Sequence, residues 1–77
     1  MKSIFENLIN GNLTSAKNSS RGYSYAKLKG YATDELGMDE NKATAAALYL
    51  KGKITFQKYC EAQDENYFTL LKQVFQK

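Results

Sequence analysis

The stretch AALYLKGKITFQKYC, Ala46 to Cys60, decides the fold. Its Gly52-Lys53 pair has three readings: a cradle for a phosphate, the head of a basic surface that grips a partner, or only a corner between two helices. A phosphate loop needs a glycine five positions before the pair, a preceding strand, and Ser or Thr directly after the lysine. Position 47 is Ala, Ile54 follows Lys53, and the residues before the pair recur at helical spacing: Ala43, Ala46, Ala47 and Leu50 stand at i, i+3, i+4 and i+7. The pair is therefore a helix end. Gly52 suits the position after a helix, where φ is positive and a side chain is costly. Lys51, in the last turn, complements the helix dipole. Thr55 then caps a further helix, whose Phe56, Tyr59 and Cys60 are expected to face inward.

Working outward, Asp39 is the cap of the helix that carries the alanine stripe, whose small side chains let a neighbouring helix come close. Before it, Ser24 caps a helix on which Tyr25, Leu28, Ala32 and Leu36 recur up to Gly37. Gly30 lies inside that helix and predicts a close crossing. Ser3 and Glu6 form a capping-box pattern ahead of Ile4, Phe5, Leu8 and Ile9, predicting a first helix over 4–10 closed by Gly11. Asn12 or Thr14 caps a short second helix with Leu13, Ala16 and Lys17, ended by the turn-forming run Asn18-Ser19-Ser20-Arg21-Gly22. Beyond Cys60, the polar run Gln63-Asp64-Glu65-Asn66 predicts a break before a last stripe of Tyr67, Phe68, Leu71, Val74 and Phe75. No segment alternates like a strand, and there is no proline. The expectation is an all-α, compact single-domain bundle of five or six short helices over residues 1–77.

Composition bounds the function. A chain of 77 residues holds one core and buries only roughly 60% of its unfolded surface. With no histidine and one cysteine, neither structural zinc nor a disulfide framework is expected. Cys60 lacks the base that a nucleophilic thiol requires, and on an apolar face it packs as a small hydrophobe. Ser24-Tyr25-Ala26-Lys27 matches the S-x-x-K of penicillin-recognising enzymes, but the companion motifs S-D-N and K-T-G do not occur. The carboxylates Asp34, Glu35, Asp39 and Glu40 flank Gly37 without EF-hand spacing, and Asp39 and Glu40 suit a helix start. The expectation is a protein that is not an enzyme, with no cofactor and no metal. The first dozen residues, MKSIFENLINGN, lack the apolar core of a signal peptide. The longest apolar run, Ala45 to Leu50, is far below the roughly 20 residues of a membrane span. A soluble cytoplasmic protein is expected, so Asn12-Leu13-Thr14 and Asn18-Ser19-Ser20 are not expected to be glycosylated.

The net charge of +3 is mild, but it comes in blocks. No acid lies between Asn7 and Thr33, while Lys17, Arg21, Lys27 and Lys29 do. The acidic knot Asp34, Glu35, Asp39 and Glu40 follows, then Lys42, Lys51, Lys53 and Lys58, then Glu61, Asp64 and Glu65. The candidate partner-binding residues are Lys17, Arg21, Tyr23, Tyr25, Lys27, Lys29, Lys51, Lys53 and Lys58. If the helix after Ser24 lies beside the Gly52 corner, they merge into one patch, in which cations neutralise phosphates and aromatic rings stack on bases. A solvated face with half-buried tyrosines explains the same residues without any partner. A helix-turn-helix around Gly37 is disfavoured: its acidic residues would meet phosphates, and arginine, the commonest base reader, is scarce.

Gly11-Asn12-Leu13, Ala16-Lys17, Ser24-Tyr25, Leu28, Leu36-Gly37, Lys42-Ala43, Tyr49-Leu50-Lys51-Gly52, Phe56-Gln57 and Tyr59-Cys60 together resemble a pattern in short accessory proteins of phages, prophages and plasmids. The resemblance covers residues 11–60 and carries no catalytic residues. It implies a bacterial cell, or a phage's host cell, as the setting. It also implies binding to a host protein or a protein–nucleic acid complex, for instance as an inhibitor of a defence system. Direct, weakly sequence-specific binding of DNA or RNA through the same Lys/Arg/Tyr surface is the alternative. A homodimer through Tyr67, Phe68, Leu71, Val74 and Phe75 is compatible with both.

Overall fold

A computed structural model describes residues 1–63. The expected stripe Tyr67, Phe68, Leu71, Val74 and Phe75, and the homodimer seam it would form, lie outside the described residues. Within them the protein is all-α, with five helices: α1 Lys2–Ile9, α2 Leu13–Ser20, α3 Tyr25–Asp34, α4 Glu40–Leu50 and α5 Phe56–Glu61.

α4 is the centre. Its alanine stripe is buried as the spacing predicts, and Ala45, Tyr49 and Leu50 are buried with it. α2, α3 and α5 all pack on α4, while α1 packs on α2. Asp39 accepts the amide of Asn41 at 3.0 Å, so the helix starts where the sequence placed it. It ends in a Schellman closure. The Lys53 amide reaches the Leu48 carbonyl at 2.8 Å and the Gly52 amide the Tyr49 carbonyl at 2.9 Å, with Gly52 at φ +74. The same closure ends α1, with Asn12 donating to Asn7 at 2.8 Å and Gly11 at φ +82.

Four local expectations are corrected. α1 begins at Lys2 behind Met1, with no side-chain cap, so the Ser3 box does not form. Met1 itself packs against the core, and the helix starts two residues earlier than expected. α2 runs through Asn18, Ser19 and Ser20 instead of stopping there. The Ser20 hydroxyl explains this. Its single proton is shared between the Lys17 carbonyl at 2.8 Å, as in helical serines, and the buried Leu50 carbonyl of α4 at 3.3 Å. Gly30 is no close crossing: a Cβ built there meets nothing within 4 Å. Finally, Phe56 does not face inward. It is 46% exposed, while Tyr59 is fully buried and Cys60 half-buried against the core. Tyr59 is the ring of this six-residue helix that is buried, stacked on Tyr49 of α4. α5 then stops at Glu61, where the expected break begins.

Candidate functional site

α3 and α4 form an antiparallel hairpin, and two contacts fix its ends. At one end the Lys29 ammonium pairs with the Glu40 carboxylate at 3.0 Å. At the other the Lys51 ammonium donates to the Tyr23 carbonyl at 2.9 Å. α4 has eleven residues, so the ends stand about 16 Å apart along its axis. The acidic residues Asp34, Glu35, Asp39 and Glu40 gather at the Lys29 end and are exposed. The Gly52 corner lies at the other.

This geometry divides the nine candidates. Lys17, Arg21, Tyr23, Lys51 and Lys53 come together around the Gly52 corner. The Lys17 ammonium stands 4.4 Å above the centre of the Tyr49 ring, a cation–π contact that joins α2 to α4. Arg21 follows one turn later and is exposed. Tyr23 is half-buried against the core. The Gly52 corner thus meets the end of α2 and the turn into α3, not the length of α3. Lys29 is taken out of the patch by Glu40, whose hydrogen bond and charge raise its pKa against a smaller opposing effect of burial. Lys27 and Tyr25 are exposed in the first turn of α3, Tyr25 at 36%. Lys58 is exposed but lies about 200° round α5 from Phe56, so it points elsewhere.

Two of the gathered cations have structural work. Lys17 and Lys51 sit at the C-terminal ends of α2 and α4, where carbonyl dipoles favour positive charge. Arg21, Lys27, Lys53 and Lys58 are exposed and carry no ion pair among the described residues.

Beside the cations stands a ring cluster that the sequence reading did not assemble. Tyr49 stacks on Tyr59 with centroids 5.2 Å apart, and Phe56 contacts both, at 5.6 Å and 5.8 Å. Phe56 is the exposed member, resting on a buried base. Burial raises the pKa of Tyr49, and the neighbouring Cys60 charge adds to it. Burial alone raises that of Cys60. The signal for this cluster was present as the spacing of Phe56 and Tyr59 after the Thr55 cap. What the sequence could not show is that Tyr49 competes for the same space.

The fold and this surface define a small all-α protein with opposed basic and acidic ends. No helix among the described residues is long and apolar enough to cross a membrane. Compared with family models, curated proteins and solved structures, the chain gives no significant match.

Proposed function

We propose that this protein is a non-enzymatic binding module of a phage or other mobile element. It holds a host protein, or a protein–nucleic acid complex, against its basic end and so blocks it. The observation that supports this reading is the segregation of charge along the α3–α4 hairpin, with Arg21 and Lys53, unpaired among the described residues, at one end and four carboxylates at the other. Segregated charge steers a partner into one orientation and speeds encounter. The test is affinity capture from host lysate treated with nuclease. Retention of one specific protein is expected. Retention of nucleic acid alone from untreated lysate, with no specific protein, would contradict the reading.

Direct nucleic-acid binding is the second reading. It is favoured by the exposure of Tyr25, Lys27 and Arg21, a ring and cations of the kind that stack on bases and neutralise phosphates. Fluorescence anisotropy of a labelled oligonucleotide over a range of salt concentrations decides it. The reading requires binding that strengthens as salt falls, because counterion release drives it. No binding at low salt excludes it.

A further inference from the structure

The most exposed large apolar side chain among the described residues is Phe56, and its setting is specific. Its ring contacts Tyr49 and Tyr59, and the residue is 46% exposed. A ring held this way loses little freedom when a partner covers it, and aromatic anchors of this kind carry much of the energy of protein interfaces. Lys53 stands three residues before it in the same corner, exposed and unpaired among the described residues. Lys17 reaches the ring cluster from α2, and Arg21 continues that side of α2. The corner therefore offers one apolar knob with positive charge beside it.

We infer that Phe56 is the anchor of the basic end, and that its occupant is an acidic segment of a protein that lays an apolar side chain on the ring. This rests on the binding-module reading above and names the chemistry of the partner. Two features favour a protein segment over a nucleic-acid strand. The molecule measures only 26 × 24 × 22 Å, so a strand following the basic end soon meets the acidic end. Lys17 and Lys51 are also committed to the Tyr49 ring and the Tyr23 carbonyl, which leaves few cations free for successive phosphates.

The experiment is a titration of the isotope-labelled protein, followed by amide chemical shifts. Three probes are used: an Asp/Glu-rich peptide of about a dozen residues with one central Phe, the same peptide with Ser in its place, and oligothymidylate of similar length. The Phe peptide is expected to shift amides of residues 52–60 and of the end of α2, and to bind more tightly than the Ser peptide. Phe56→Ala is expected to weaken the Phe peptide by about tenfold or more and to abolish its advantage over the Ser peptide. Phe56→Leu should restore part of it, and circular dichroism checks that both variants fold. Tighter binding of oligothymidylate at these amides, equal binding of the two peptides, or no shift from either peptide overturns the inference. The capture experiment separates this failure from that of the broader reading. A specific host protein retained equally by wild type and Phe56→Ala leaves the binding module standing without its anchor.

Discussion

At the scale of single residues, Ser20, two glycines and Cys60 carry the argument. Ser20 is 1% exposed and supplies the hydrogen bond to the Leu50 carbonyl, which lies too near the end of α4 to find a partner within its own helix. Ser20→Ala leaves that buried acceptor unpaired, so a loss of about 1–2 kcal/mol is expected in urea unfolding. The glycines separate cleanly. At Gly30 an added methyl meets open space in a helical backbone, so Gly30→Ala should stabilise by about 1 kcal/mol. At Gly52 φ is +74, and Gly52→Ala should destabilise by about 1 kcal/mol or more in the same assay. Cys60 gives a pH dependence. Burial raises its folded pKa, so the folded state binds the thiol proton more tightly than the unfolded chain does. That contribution to stability is complete below the ordinary value of 9.0 and is lost as pH rises through the raised folded value. Urea midpoints should fall above pH 9 in the wild type, and fall less over the same range in Cys60→Ala.

At the scale of elements, capping chemistry was the most legible part of the sequence. Ser24, Asp39 and Thr55 each accept the backbone amide that a cap should, because the short reach of their oxygens makes the signal purely local. The Ser3 box did not form, because α1 starts behind Met1, which packs against the core, and Ser3 is then inside the helix. Ser20 was read as a turn former because its second partner is thirty residues away, on α4. The exposure of Phe56 was likewise hidden: spacing puts Phe56, Tyr59 and Cys60 on one face of α5, but only Tyr49, from another element, decides which ring is covered. The shortness of α5 makes its cap important. Thr55→Ala should cost about 1 kcal/mol and speed amide hydrogen exchange across 58–61, while exchange in α4 stays unchanged. Equal acceleration in α4 would mean that α5 is not a separately opening unit.

At the scale of the whole molecule, α4 organises both the core and the charge. Its alanines let neighbouring helices close in, and its two ends divide the surface. The sequence showed that charge came in blocks. It could not show that the block before Gly30 divides, with Lys29 going to Glu40 at the acidic end and Lys17 to Tyr49 at the basic one. That split turns nine scattered candidates into a basic corner with an exposed ring beside it. The claim that this corner does the binding is tested most directly by reversing each end separately. Affinity capture from host lysate would compare Arg21→Glu with Lys53→Glu against Asp34→Lys with Glu35→Lys, each pair in one chain. The account predicts that the first double variant loses the specific protein retained by the wild type and that the second keeps it. Retention by the first, or loss by the second alone, would contradict it.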